Sequence, residues 1–130
     1  MNDNELVFRS GATDLTEDMA VVYLNLGAPT TGKEVVRIIV PEMAETSDTI
    51  IPTVHLSADG SGNGERQIVG ETITKAGVDG GRYQYFISIP KSPYKYVGLA
   101  LNIVDADTGG DFDAGAVKAY LTNSGQYDDF

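Results

Sequence analysis

The sequence predicts an all-β protein: an antiparallel β-sandwich of the jelly-roll type with an extended N-terminal arm. Short apolar runs with a two-residue period recur along the chain. Segments rich in Gly, Pro, Asn and Asp separate these runs, and no amphipathic helix of ordinary length interrupts them. The 130 residues correspond to one domain, and a jelly roll suits about this number of strands.

We divide the chain into three parts. Residues 1–13 are polar apart from the triplet Leu6-Val7-Phe8, and we expect an arm whose apolar triplet docks on another surface. The jelly-roll domain is expected over residues 14–124, and a polar, acidic tail over residues 125–130. We find no internal repeat and no second domain.

The apolar runs define the strands in order. We predict strands over residues 21–26, 35–40, 49–57, 67–74, 83–89, 94–104 and 116–122. Alternate positions of the first two are aliphatic and share one face of each strand: Val22, Leu24 and Leu26, then Val36, Ile38 and Val40. On the second strand, Arg37 shares the opposite face with two more aliphatic residues, Val35 and Ile39.

The later strands carry their own signals. Pro52 in the third run has no N–H for a ladder, which predicts an edge strand or two separate pieces. Gly70 interrupts the fourth run, which is the weakest. The last two runs flank an acidic, glycine-rich segment, residues 105–113, and are expected to pair as a hairpin.

The net charge and the residue composition argue against several classes of function. A net charge of −10 disfavours binding to nucleic-acid phosphates and to anionic membranes. The chain has no cysteine and therefore no disulfide or thiolate site. No apolar run approaches the roughly 20 residues that span a bilayer, and Met1–Glu5 lacks the positive region of a signal peptide. We expect no nucleic-acid partner, no membrane partner and no export.

No motif predicts catalysis, and we expect neither an enzyme nor a cofactor. His55 is the only histidine, and no G-x-S-x-G elbow is present, which argues against Ser-His-Asp catalysis and excludes a His/Cys zinc site. We interpret His55 as a strand residue on a half-exposed face. Paired carboxylates of the glycosidase type stay open, although the acidic residues concentrate in termini and loops.

One segment resembles half of a calcium-binding loop. Residues 59–64 fit the opening of the motif D-x-[DN]-x-[DN]-G, which makes Asp59, Ser61 and Asn63 candidate ligands. The twelfth position is Gly70, where a bidentate Glu is needed. We therefore predict a strand connection without a metal ion, and we interpret the aspartates of residues 105–113 as a solvated loop tip.

The tyrosines allow two interpretations. Four of them could stack against a sugar or could serve a core or a subunit interface: Tyr83, Tyr85, Tyr94 and Tyr96. Tyr is common both in strands and in protein interfaces, and we favour the core or interface interpretation.

The order of several motifs resembles the small capsid cement, or decoration, proteins of tailed bacteriophages. The motifs are Asn25-Leu26-Gly27, the strand 34–40 followed by Pro41-Glu42, the segment Thr53–Gly60, the strand Tyr96-Val97-Gly98-Leu99, and the closing run Ala114–Leu121. The resemblance covers roughly residues 21–126, and the last two motifs contribute most to it.

The resemblance implies a jelly-roll trimer on the outer capsid surface of a virion, made in the host cytoplasm. Its partners would be the major capsid protein and two further copies of the chain, and it would stabilise contacts between neighbouring capsid subunits. Our candidates for capsid or subunit interfaces are Leu6, Val7, Phe8, Tyr94, Tyr96 and Tyr120. The alternative is a carbohydrate- or ligand-binding jelly-roll module of a phage tail fibre or a secreted protein, which should be monomeric.

Overall fold

Two antiparallel β-sheets pack face to face around an aliphatic core. The structure, a computed structural model, describes residues 6–43, 48–62, 64–104 and 112–123. The strands are β1 (Leu6–Arg9), β2 (Met19–Asn25), β3 (Glu34–Ile39), β4 (Thr49–Ser57), β5 (Arg66–Val69), β6 (Ile73–Thr74), β7 (Gln84–Ser88), β8 (Tyr96–Val104) and β9 (Lys118–Asn123). Helix α1 (Lys75–Asp79) joins β6 to β7. The prediction of an all-β sandwich is confirmed.

Each sheet is built from strands that are distant in the sequence. Sheet A has four strands in the order β1-β9-β3-β7. Sheet B has five, in the order β2-β8-β4-β5, with β6 paired to β4 beside β5. Every pair is antiparallel. No helix among the described residues is long and apolar enough to cross a membrane.

The core forms from the inward positions of each strand. On β3, Val36 and Ile38 are completely buried, and on β8 so are Val97, Leu99 and Leu101. Because strand side chains alternate between faces, the neighbouring positions point outward. The residues that the sequence groups on one face of the second strand, Val36, Ile38 and Val40, all lie in the core.

The prediction for Pro52 is wrong. Strand β4 is continuous and lies inside sheet B, with β8 on one edge and β5 and β6 on the other. The Pro52 carbonyl accepts a hydrogen bond from Gly70 N at 2.8 Å. In an antiparallel ladder the N–H and C=O of one residue point to the same neighbouring strand. An N–H at position 52 would therefore point toward the break between β5 and β6, where β4 has no paired strand residue. The missing N–H of proline thus removes no ladder hydrogen bond.

The predicted hairpin of the last two strands is also wrong. Strand β8 pairs with β2 and β4, whereas β9 pairs with β1 and β3 in the other sheet. Both edges of each strand are occupied, so neither has an edge left for the other. Residues 105–111 of the acidic connection lie outside the described residues.

The predicted N-terminal arm is not confirmed. Leu6–Arg9 forms β1, the edge strand of sheet A, and Val7 pairs with Tyr120 of β9. Phe8 is only 6% exposed and belongs to the core, because its position on β1 faces the other sheet. Residues 1–5 and the predicted tail, 125–130, lie outside the described residues.

Candidate functional site

The outward side of sheet A carries a continuous row of side chains across all four strands. Val7 pairs with Tyr120, Tyr120 with Arg37, and Arg37 with Phe86. Directly paired residues of antiparallel strands share a face. The residues that alternate with these four lie in the core, except Leu6 at the start of β1. We call this outward surface of β1, β9, β3 and β7 the sheet A face.

The sheet A face is apolar and cationic. Phe86 is 51% exposed and Val7 46% exposed, and Val35 and Ile39 beside them are half-buried. Arg37 lies between the aromatic residues, and its Nε donates to Gln84 Oε1 at 3.1 Å. Arg37 and Lys118 contribute positive charge, and none of the strand residues described on this face is acidic.

This composition differs from that of the chain as a whole. The protein carries 19 acidic against 9 basic residues, so a surface without carboxylates is unusual for it. Exposed aromatic residues and Arg are among the types enriched at protein interfaces. The chemistry of the sheet A face is that of a docking surface.

The outward side of sheet B is partly covered by the described part of the glycine-rich loop, residues 58–62 and 64–65. Tyr23 of β2 lies over Gly98 of β8, and its hydroxyl donates to Gly62 O at 3.0 Å. Burial raises the pKa of Tyr23, and the nearby carboxylates of Glu65 and Asp59 raise it further. The hydroxyl therefore keeps its proton over the usual pH range and ties the loop to the sheet.

An open groove of about 860 Å³ lies beside this loop on sheet B. Its floor includes Thr53 and His55 of β4 and Ala100 of β8, which are 6%, 6% and 8% exposed. Asp18 and the start of β2 form one side, and Gln67 and Val69 of β5 form the other. Two of the floor side chains, those of Thr53 and Ala100, are small.

His55 differs from its predicted environment. The sequence predicts a half-exposed face for it, but it is buried at the groove floor and directly paired with Gln67. Its neighbours on sheet B shield it, since both edges of β4 are covered. No group of three or more His, Cys, Asp or Glu side chains in the described parts of the chain is arranged to hold a metal ion.

The candidate calcium loop is held together by its own hydrogen bonds. Asp59 Oδ1 accepts from Ser61 Oγ at 2.9 Å, from Ser57 Oγ at 3.0 Å and from Ser61 N at 3.1 Å. The Ser61 hydroxyl, followed by the Ser57 hydroxyl, lowers the pKa of Asp59. The carboxylate thus organises a turn. Asn63, the third candidate ligand, lies outside the described residues.

The six interface candidates do not form one surface. Val7 and Tyr120 are direct partners on the sheet A face, whereas Leu6, 37% exposed, pairs with Leu121 at the end of β1. Phe8 is in the core. Tyr94 packs against the core ahead of β8, and Tyr96 lies on sheet B beneath Gly60.

The four tyrosines considered as a sugar platform do not share a face either. Tyr85 is 4% exposed and lies in the core, where its hydroxyl donates to Arg82 O at 3.0 Å. Tyr83, which precedes β7, is 48% exposed. Tyr94 and Tyr96 belong to the other side of the sandwich.

Sequence reasoning did not select Arg37 and Phe86 as site residues. A signal for Arg37 was present, since β3 carries apolar residues on both of its faces. The core covers only one face, so the other, which carries Arg37, leaves apolar residues at the surface. Phe86 gave none, because it alternates with Tyr85 and Ile87 and nothing local shows which set faces outward.

We compared the chain with protein-family models, curated proteins and solved structures. None of these gives a match.

Proposed function

We propose that this protein is a structural, non-enzymatic component of a bacteriophage virion, of the capsid decoration type. It attaches as a homotrimer to the outside of the assembled capsid and stabilises contacts between major capsid subunits. The sheet A face is the observation that supports this proposal most, because it offers a broad surface with the chemistry of an interface.

The jelly-roll topology is part of the proposal, and the strand pairing supports it. The first strand pairs with the last, β2 with β8, β3 with β7, and β4 with the edge formed by β5 and β6. With β5 and β6 counted as one broken strand, this is a nested antiparallel hairpin folded into two sheets. Such nesting is what a jelly roll requires.

Exposed apolar area argues for a partner on the sheet A face. Val7 and Phe86 expose about half of their surface on an otherwise regular sheet. Fully burying an apolar side chain of this size contributes about 1.5–3 kcal/mol, so covering the face from Val7 to Phe86 gives a substantial driving force. Ordering and rigid-body entropy offset part of it.

Charge favours another copy of the chain as that partner. Two strongly acidic copies repel each other unless one contributes a surface without carboxylates. The sheet A face meets this condition, with Arg37 and Lys118 available to an acidic surface of the neighbour. A contact around a threefold axis is heterologous, so the sheet A face would meet a different surface of the next copy.

The mass of the protein in solution tests the trimer. We expect light scattering at micromolar concentration to give three times the chain mass. Phe86→Glu should give the mass of one chain, because it replaces the exposed aromatic ring of the interface with a carboxylate. Val69→Glu is the matched control: Val69 is also an exposed residue of an edge strand, 66% exposed, but lies on sheet B, and its variant should remain trimeric.

Two results would contradict the assembly. A monomeric wild-type chain would favour the ligand-binding module instead. A Phe86→Glu variant that stays trimeric would show that the sheet A face is not the interface. Attachment to the capsid is tested separately, by co-sedimentation of the wild-type protein with undecorated heads of its own phage, and failure to co-sediment would rule out the decoration role.

A further inference from the structure

We propose that the groove on the outward side of sheet B binds a neutral saccharide. The residues that carry this inference are Asp18, Thr53, Gln67, Val69, Ala100 and Asn102. The inference does not depend on the trimer, because the groove and the sheet A face lie on opposite sides of the sandwich.

The groove has the size of a ligand site. Its volume of about 860 Å³ lies within the range of about 300–1,000 Å³ common for small-molecule sites. The floor is formed by rigid, paired strands: Thr53 is directly opposite both Ala100 and Val69, and Ile51 is opposite Asn102. A ligand would therefore meet a preformed surface and would not have to order a loop.

Thr53 is the strongest indication of a ligand. Its side chain faces the groove, only 6% of the residue is exposed, and its hydroxyl forms no hydrogen bond with any residue in the described part of the chain. The Thr53 hydroxyl oxygen is not among the fully buried side-chain atoms that lack a partner in the described residues, so it is reachable from the groove. A hydroxyl group of a ligand lying on the groove floor would supply a partner.

The other polar side chains select the ligand class. Gln67 and Asn102 each carry an amide that donates and accepts, and the Thr53 hydroxyl does both as well. Sugar hydroxyls have the same dual character. Val69, 66% exposed, offers apolar surface to the carbon face of a sugar ring.

Charge argues against an anionic ligand. Asp18 lies at the side of the groove, where its Oδ1 accepts from Ile103 N at 2.6 Å, and neither Lys nor Arg is among the described residues that line the groove. The net charge of −10 adds to the repulsion. A neutral ligand avoids repulsion from the Asp18 carboxylate and from the net charge of the chain.

The groove also fits a peptide poorly. Extended peptides usually add to the free edge of a sheet, where unpaired backbone groups are available. The groove lies instead across the middle of sheet B, where the backbone of β4 is already paired with β8 and β5. Only side chains are available for recognition.

The inference can be tested by NMR on the full-length protein labelled with ¹⁵N. The probes are three neutral disaccharides (maltose, lactose and N,N′-diacetylchitobiose), with sialyllactose as an anionic sugar and an acetylated trialanine amide as a neutral peptide. We expect at least one neutral disaccharide to shift amide signals of β4, β5 and β8 around the groove, and neither comparison probe to do so.

Two variants locate the binding. Thr53→Val keeps the shape of the side chain and removes the hydroxyl, and it should weaken disaccharide binding about two- to tenfold while leaving the remaining spectrum unchanged. Ser88→Val, which removes an exposed strand hydroxyl from the sheet A face, should bind as the wild type does.

Several outcomes would overturn the inference. They are the absence of shifts with all three neutral disaccharides, shifts confined to residues away from the groove, equal affinity in Thr53→Val, and binding of the peptide or the anionic sugar alone.

Discussion

Replacing Gly98 with alanine should destabilise the protein, although glycine is normally unfavourable in the interior of a strand. A Cβ at Gly98 would lie 2.7 Å from both Cδ1 and Cε1 of Tyr23 and 2.7 Å from Cγ2 of Val21. Carbon atoms pack best about 3.5–4.0 Å apart, so all three contacts would be too short by roughly 1 Å. The ring or the strand must then shift.

The magnitude follows from two opposing effects. Tyr23 is held in place by the bond of its hydroxyl to Gly62 O, so it cannot move without releasing the glycine-rich loop. Overpacking of this kind lowers the free energy of unfolding by about 1–3 kcal/mol. Exchanging glycine for alanine in a strand returns about 0.5–1 kcal/mol. At the middle of both ranges the net loss in the free energy of unfolding is about 1 kcal/mol, which lowers the Tm by about 3–5 °C in a domain of this size.

A double-mutant cycle tests this explanation. Thermal and urea denaturation would be measured for the wild type, Gly98→Ala, Tyr23→Ala and the double variant. Without the Tyr23 ring, the cost of Gly98→Ala should fall, because only the rotatable methyl group of Val21 remains in contact. If Gly98→Ala is as stable as the wild type, or loses the same free energy in both backgrounds, the reasoning is refuted.

Three further predictions concern the core and the glycine-rich loop. Leu99→Ala, at a completely buried position, should lower the free energy of unfolding in urea by about 2–5 kcal/mol, and a loss below about 1 kcal/mol would contradict the packing. Gly62→Ala should lower the free energy of unfolding only by the left-handed backbone penalty of about 1–2 kcal/mol. Gly60→Ala should lower it further, because its Cβ would also lie 2.7 Å from a tyrosine ring on β8. Equal Tm losses in the two variants would refute this. Ser61→Ala should raise the pKa of Asp59 in an NMR titration. Because the folded pKa of Asp59 is lowered, its contribution to stability is present above its unfolded pKa and is lost as the pH falls through the folded pKa, and an unchanged pKa in the variant would exclude the Ser61 hydroxyl as the main cause.

Strand positions were predictable where the signal was local. Strand β4 has the predicted bounds, Thr49–Ser57, and β3 lies within the predicted run 35–40 apart from its first residue. Both runs are long and rich in β-branched residues, so propensity and alternation indicate the same structure. For β1 the sequence predicts an arm, because one short apolar triplet stands among polar residues. The strand buries only Phe8 deeply, and its pairing partner β9 lies more than a hundred residues away along the chain.

Pairing partners and sites depended on contacts between distant segments. Nothing in the local sequence indicates that β8 and β9 belong to different sheets, since that is decided by which edges β2, β4, β1 and β3 occupy. The groove floor had no sequence signal either. Thr53 and Ala100 are ordinary strand residues, and they form a concave surface only because β4 and β8 place them side by side.

The outward sides of the two sheets suit different kinds of contact. The sheet A face is cationic and exposes an aromatic ring, which suits a broad protein surface, whereas the groove on sheet B is concave and lined by amides and a hydroxyl, which suits a small polar molecule. A partner that covers one side leaves the other accessible, because the hydrophobic core separates them. Docking of the sheet A face therefore does not by itself cover the groove of the same copy. Phe86 and Thr53 share no contact across the core, so substitutions at the two positions should have independent effects. Mutating one position at a time can therefore assign assembly and ligand binding to separate surfaces.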